Sequence, residues 1–409
     1  MTIDRRALEA RGYLVVPGFI DLHAHLREPG FEEAETIATG ALAALRGGFT
    51  TVCAMPNTDP AIDSPGLVAE LIGRAASAGG ARVLPIAAVT RGRRGKELAD
   101  LVELAAAGAV AFSDDGSPVD DARLFRSALE YARARDLLII EHPQDVALSG
   151  RGVMHEGSVS ARLGLAGIPA AAEETAVARD LVLAKLTGAR LHLTHLSTAG
   201  SVELVRRAKG EDVRVTCDVT PHHLAMTDEW VAGARAFAWD ERDDSSSAMP
   251  YDASTKVNPP LRTRADVRAL WQAVADGTID AIATDHAPHA SVKKDVEYDQ
   301  AAFGISGLET ALPLVLGGVR AGWASLESVL SALTRGPASV LGIEPRSDEW
   351  TVLDPDAEWT VTADELASKG KNTPLLGRTV VGRVVGVEVD GEARFFEEGI
   401  RVAETISAR

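Results

Sequence analysis

Hydrophobic positions along the chain follow two periods in alternation. From residue 13 onward, short apolar runs rich in β-branched residues are followed by longer stretches of helical period. This succession predicts βα units around a parallel sheet. Eight runs read as strands: LVVPGFIDLHAH ending at His25, TTVCAMP at Pro56, RVLPIAAV at Val89, AVAFSDD at Asp115, LLIIEH at His142, RLHLTHLS at Ser197, VRVTCDVTP at Pro221 and DAIATDH at His286. Segments such as DARLFRSALEYARARD and ETAVARDLVLAKLTG read as the helices between them, several closing on glycine, as helix C-termini often do.

Eight such units fit a (β/α)8 barrel, whose usual length is about 250 residues. A doubly wound open sheet carries a glycine-rich phosphate loop after its first strand, and none follows residue 25. The expected fold is therefore α/β, a TIM-type barrel over residues 13–343. Residues 1–12 and 344–409 are expected to form a small accessory β region, because the chain after Pro345 is Val-rich and turn-punctuated. The stretch SLESVLSALTRGPASVLGI is expected to close one end of the barrel, and residues 229–255 to form a polar surface loop.

Composition narrows the class. The 409 residues are 46% hydrophobic and 25% charged, the profile of a globular protein rather than a disordered or fibrous one. Asp and Glu number 59 against 42 Lys and Arg, a net charge of −17. Such a surface repels nucleic acid and anionic lipid, so neither is expected as a partner. No stretch approaches the ~20 apolar residues of a membrane span, and the N-terminus lacks a signal-peptide core. Cys53 and Cys217 lie far apart with no C-x-x-C pattern, which argues against disulfides or a thiolate zinc site and for a cytoplasmic setting.

In a (β/α)8 barrel the active site lies at the C-terminal ends of the strands. Strand one ends in His23-Ala24-His25, and residues i and i+2 of a strand share a face, so both imidazoles can reach one ion. Strand five ends in His142, strand six in His195 and strand eight in Asp285. Imidazoles with a carboxylate suit zinc or a similar divalent cation with an open position for water. A lone H-x-H is more often a packed or surface pair; the weight comes from four of the ten histidines and one Asp converging on one mouth. His155, His192, His222 and His223 read as structural. His192 and Glu141 are expected to point away from the faces carrying His195 and His142. Two residues past His25, Arg27 offers a planar fork suited to a carboxylate.

The stretches PGFIDLHAHLREPG, AMPNT, FSDDG, EH at 141–142, HLST from 195, TPHHL from 220, KVNPPLR from 256, ATDHAPH from 283 and AAFGISGLET from 301 closely resemble the amidohydrolase superfamily. Within it, the likeness is to dihydroorotases of the bacterial, longer-chain (class I) type. Many superfamily members bridge their metals with a carboxylated lysine on strand four. The only lysine between His25 and His142 is Lys96, in a polar stretch before a helix, so an Asp is left for that place. Asp114 and Asp115 both end strand four and only one can face inward; the family pattern favours Asp115.

The resemblance implies the reversible cyclisation of N-carbamoyl-L-aspartate to L-dihydroorotate, a step of pyrimidine biosynthesis. It implies one or two zinc ions on His23, His25, Asp115, His142, His195 and Asp285, a metal-activated hydroxide, and Asp285 as general acid and base. It assigns substrate contacts to His25, Arg27, Asn57, Asn258, His289, Phe303 and Gly304, and the loop ASVKKDVEYDQ before Phe303 is expected to be mobile and to close over the site. The expected partner is the small-molecule substrate, in a homo-oligomer such as a dimer, with association with aspartate transcarbamoylase as a further expectation. Relatives have a longer lead into strand one, so the N-terminal half of the β region is expected to be truncated. Other cyclic amidohydrolases, such as hydantoinases, dihydropyrimidinases and allantoinases, usually have the strand-four lysine and lack the Arg of HLREPG. A catalytically silent dihydroorotase-like scaffold typically loses metal ligands, whereas this chain keeps them all.

Overall fold

In the computed structural model, which describes residues 5–240 and 248–397, eight parallel strands pair in chain order. They are β1 (Phe19–Ala24), β2 (Phe49–Ala54), β3 (Arg82–Ala87), β4 (Ala111–Phe112), β5 (Leu138–Glu141), β6 (Arg190–Leu193), β7 (Val215–Val219) and β8 (Ala281–Ile282). A bridge between Ala24 and His286 brings the end of β8 back beside β1. There the His25 N–H donates to the His286 carbonyl at 2.8 Å. The result is a nearly closed (β/α)8 barrel.

The first apolar run is not one strand. Leu14–Pro17 pairs antiparallel with Trp350–Leu353, in a four-stranded sheet completed by Thr379–Val389 and Glu392–Phe396. The chain changes sheets at Gly18, where a Cβ would fall 2.3 Å from the Thr50 side chain; only glycine allows that close approach.

Alternation along the strands sorts side chains into two layers. Ile20, Leu22, Ile86, Ala111, Leu138, Ile140 and Ala281 fill the barrel, together with Ala338, Val340 and Leu341. These last three come from the helix Arg335–Leu341, so the helical stretch after β8 does close one end. Phe49, Val52, Phe112, Ile139, Leu191, Leu193, Cys217 and Val219 face outward into the core shared with the helices. Strands β6 and β7 thus turn polar side chains inward: His192, Thr194, Thr216 and Asp218. Burying polar groups there is tolerable only because they bond one another.

The helices start at polar caps. Thr36, Asp121, Thr198, Thr263 and Ser325 each accept a hydrogen bond from a first-turn N–H, interactions worth about 1 kcal/mol apiece. Among the described residues no helix is long and apolar enough to cross a membrane. Residues 229–240 and 248–255 correct the expected polar loop; residues 241–247 of it lie outside the described residues. Trp230 is fully buried with Met226, Val257, Leu261 and Leu375, because apolar side chains spaced through the polar stretch cover the barrel top. The segment 290–300 is likewise anchored: Lys294 donates to the carbonyls of Ala253 at 3.0 Å and Ala302 at 2.7 Å, and Tyr298 is buried.

Candidate active site

At the C-terminal mouth six buried side chains converge, each at a strand end. On β1 the interior parity changes, since Leu22 lies inside the barrel while Ala24 packs in the outer layer. A register irregularity between Asp21 and Ala24 accompanies the change, and His23 and His25 emerge side by side, their Nε2 atoms 3.2 Å apart. On β4 the alternation runs on: Ala111 inward, Phe112 outward, Asp115 inward. The Asp114 carboxylate turns outward to accept the N–H groups of Val89 and Thr90 at 2.9 and 3.0 Å. Of the two, Asp115 is the one turned toward the cluster. On β5, His142 continues the inward row of Leu138 and Ile140, while Glu141 faces away and accepts the Val119 N–H.

His195 departs from the expected alternation. It is His192 that points into the barrel, bonded to Asp218 at 2.8 Å, and His195 reaches the mouth through a left-handed backbone, φ +41°. Asp285 has φ +45° and Arg27 φ +61°. Three of the eight described non-glycine residues with positive φ are therefore at this site, a strain held in place by surrounding bonds. For His195 the bond is its N–H to Asp218 Oδ1 at 2.7 Å.

The nitrogen and oxygen atoms of the cluster form two groups that share Asp115. Its Oδ2 lies 3.4 Å from His23 Nε2 and 3.5 Å from His25 Nε2. Asp285 Oδ1 completes this side, 3.4 Å from His23 Nε2 and 3.1 Å from His25 Nε2. Asp115 Oδ1 faces the other side, 3.4 Å from His142 Nδ1 and 3.5 Å from His195 Nε2. Four ligands held tetrahedrally at zinc-like bond lengths of ~2.1 Å stand about 3.4 Å from one another, so this cluster has the spacing of a divalent cation's shell. Asp115 Oδ1 is buried with no hydrogen-bond partner among the described residues, a vacancy in bonding that a cation satisfies. The residues fit the group.

The electrostatics make the same demand. Burial disfavours charge on His23, yet Asp115 and Asp285 override it and raise its pKa to about 10. Burial likewise acts against ionised Asp115 and Asp285, but the histidines around them hold both below the usual carboxylate range. Two buried carboxylates here require a compensating positive charge.

Hydrogen bonds fix which nitrogen His23, His25 and His142 turn to the cluster, whereas His195 Nδ1 is buried without a partner among the described residues. His25 Nδ1–H donates to Asn57 Oδ1 at 2.8 Å, so Asn57 orients a histidine as well as lining the cavity. His23 Nδ1–H donates to Thr194 Oγ1 at 2.8 Å, and that hydroxyl donates to Asp218 Oδ2 at 2.9 Å. His142 Nε2–H donates to Gln144 Oε1 at 2.7 Å.

A cavity of about 190 Å³ opens over the cluster, lined by His25, Asp115, His142, His195 and Asp285 and also by Arg27, Asn57, Asn258, His289, Phe303 and Gly304. His23 lies beneath it. Burial lowers the Arg27 pKa only to about 10, so the guanidinium stays cationic; its Nε is tethered to the Pro288 carbonyl at 3.0 Å. Burial, with Arg27 next in effect, holds His289 to about 3, leaving a neutral ring whose Nε2–H donates to the Phe303 carbonyl at 2.8 Å.

Sequence reasoning missed several supporting residues: Thr194, Asp218, Gln144 and Asn372. Buried Asn372 spans the mouth from the segment leading into the accessory sheet. Its Oδ1 accepts the His289 N–H at 2.8 Å, and its Nδ2 donates to the carbonyls of Ala287 and Gly304, both at 3.0 Å. Thr194 and Asp218, in the inward rows of β6 and β7, were within reach of the alternation rule; Gln144 and Asn372 sit in turn-like contexts that carry no such signal.

Buried imidazoles and carboxylates at the C-terminal mouth of such a barrel define the amidohydrolase type of enzyme fold. The L-hydantoinase of Arthrobacter aurescens is 25% identical, with a TM-score of 0.78 over 94% of this chain and 85% of its own. A D-hydantoinase structure, at 24% identity and TM-score 0.75, shares the fold over 95% of this chain and 86% of its own. A family model described as Dihydro-orotase-like matches residues 12–201. The dihydroorotase of Anaeromyxobacter dehalogenans (strain 2CP-1) is 52% identical over 394 residues, 95% of this chain and 88% of the relative. That of Pelotomaculum thermopropionicum is 51% identical over 407 residues, 98% and 91% respectively. The chain belongs to the dihydroorotase family.

Proposed function

We propose that this protein catalyses the reversible cyclisation of N-carbamoyl-L-aspartate to L-dihydroorotate, as a zinc-dependent cyclic amidohydrolase of pyrimidine biosynthesis. The observation that carries the reading is one cavity lined both by the histidine and carboxylate cluster and by cationic Arg27. A cyclic amide bearing a carboxylate needs both. His23, His25 and Asp285 would hold one cation, His142 and His195 a second, with Asp115 between them; its two oxygens facing different histidine pairs support two ions rather than one. The unpaired buried cysteines Cys53 and Cys217 agree with a reducing, cytoplasmic setting.

When bound, such cations polarise the ring carbonyl and lower the pKa of water toward ~7. The chain's own residues do the rest. Arg27 binds the substrate carboxylate through its planar fork, while Asn258, His289 and the backbone at Phe303 and Gly304 frame the ring. Asp285, kept ionised, accepts the proton of the attacking water during ring opening and delivers it to the leaving amide nitrogen. In ring closure it takes the proton from the carbamoyl nitrogen as that nitrogen attacks the side-chain carboxyl carbon, and returns it to the departing oxygen, which with one further proton from solvent leaves as water. Holding nitrogen and carbonyl in register makes the step effectively unimolecular.

The test is hydrolysis of L-dihydroorotate by zinc-loaded protein at neutral to alkaline pH. Activity that disappears on chelation and returns with zinc is expected. No turnover with verified metal loading contradicts the reading and leaves a silent scaffold.

A further inference from the structure

We propose that Gln144 is a positioning residue that couples the His142 side of the cation cluster to the substrate through Asn258; the proposal rests on the reading above and deepens it. Gln144 follows His142 by two residues and is half-buried. Its single carbonyl oxygen accepts two hydrogen bonds, from His142 Nε2 at 2.7 Å and from Asn258 Nδ2 at 2.8 Å. The two donors come from positions 116 residues apart in the chain and stand 3.3 Å from each other. Two N–H groups that close repel unless an acceptor serves both, and Gln144 Oε1 is that acceptor.

Each bond has a distinct consequence. With a proton fixed on Nε2, His142 carries its lone pair on Nδ1, the atom 3.4 Å from Asp115 Oδ1 and 2.8 Å from His195 Nε2. The imidazole is thereby set to receive a cation. With its NH2 group engaged by Gln144, the Asn258 carboxamide is locked in one of its two flip orientations and presents its oxygen elsewhere. The backbone of the same loop is held from the other side, where His223 Nε2–H donates to the Pro259 carbonyl at 2.9 Å. Only the side-chain orientation of Asn258 depends on Gln144. A helix-cap role does not account for the residue: the short helix that follows is capped by Asp145.

Gln144→Met keeps the length and removes the acceptor; Gln144→Glu keeps the acceptor. Cation release is followed by competition with a chromogenic chelator, which requires no turnover. In Gln144→Met one of the two zinc ions should leave about 10- to 100-fold more readily, as expected when a ligand's outer partner is lost, while the other stays. The KM for L-dihydroorotate should rise, and Asn258→Ala should add less in the Gln144→Met background than in the parent, because coupled residues are not additive. Gln144→Glu should hold both ions within a few-fold of the parent. Thermal melting checks that each variant folds. The proposal is overturned if Gln144→Met holds both ions as tightly as the parent with an unchanged KM, or if Met and Glu weaken one ion equally. An inactive parent that still shows the Met-specific release contradicts the proposed reaction and leaves the Gln144 assignment standing.

Discussion

Asp115 Oδ1 lies 3.4 Å from His142 Nδ1, both buried, and no hydrogen bond satisfies that oxygen among the described residues. With the His142 proton on Nε2, two lone pairs face each other across this gap. A cation between them would relieve that repulsion, and the proposed metal site puts one there. Asp115→Ala should therefore lose the ion on the His142 side and at least ~100-fold in turnover, the scale on which metal-site changes act. Elemental analysis of the purified variant should show about one zinc fewer per chain than the parent. Equal zinc contents would remove Asp115 from the bridging place.

Arg27 is the cationic side chain lining the cavity; its Nε is tethered to the Pro288 carbonyl and its Nη2 lies 3.3 Å from His289 Nε2, which aims the guanidinium fork from two sides. A charge-assisted bond contributes about 1.5–3 kcal/mol. Arg27→Met should raise KM for L-dihydroorotate about 10- to 100-fold with a smaller effect on kcat. Steady-state kinetics reads this split, and an unchanged KM would exclude Arg27 from carboxylate binding.

Asn372 bonds three backbone groups of the 287–304 region at once. Replacing it by alanine leaves buried partners unpaired, at a cost of about 2–3 kcal/mol. Asn372→Ala should lower the urea midpoint accordingly and raise KM, since His289 and Gly304 both line the cavity. Denaturant titration and kinetics on the same preparation check both effects; a variant as stable as the parent would deny Asn372 this role.

His223 gives a pH dependence with a definite sign. Burial lowers its pKa to about 3 against 6.5 when unfolded, and the ring accepts from Thr220 Oγ1 while donating to Pro259. A depressed folded-state pKa means the unfolded chain binds the extra proton. The contribution is thus complete above pH 6.5 and lost as pH falls toward 3. His223→Asn should flatten the fall of unfolding free energy between pH 6.5 and 4 by close to one proton. Identical slopes in parent and variant would refute the assignment.

How much of this was legible in the sequence follows from local geometry. His23, His25, His142, Asp115 and Asp285 could be read because they end strands, and strand ends meet at one mouth whatever the helices do. His195 does reach the mouth, but not by the expected alternation, which puts His192 inside; only the left-handed backbone at 195 turns the next histidine toward the cavity. The break at Gly18 was hidden because Leu14–Pro17 and Phe19–Ala24 form one apolar run; which sheet each half joins depends on Trp350 and Thr50, far along the chain. Trp230 was lost in the polar composition of its surroundings. Gln144 and Asn372 were invisible because a neutral amide in a turn looks the same whether it faces water or a histidine brought from elsewhere.

The most direct test of the central claim compares kcat/KM of the zinc-loaded protein for L-dihydroorotate and for 5,6-dihydrouracil, the same cyclic amide without the carboxylate. Sites built to bond a polar group reject analogues lacking it by large factors. A preference for L-dihydroorotate of at least ~100-fold, abolished in Arg27→Met, is predicted. Equal or better turnover of dihydrouracil would contradict it.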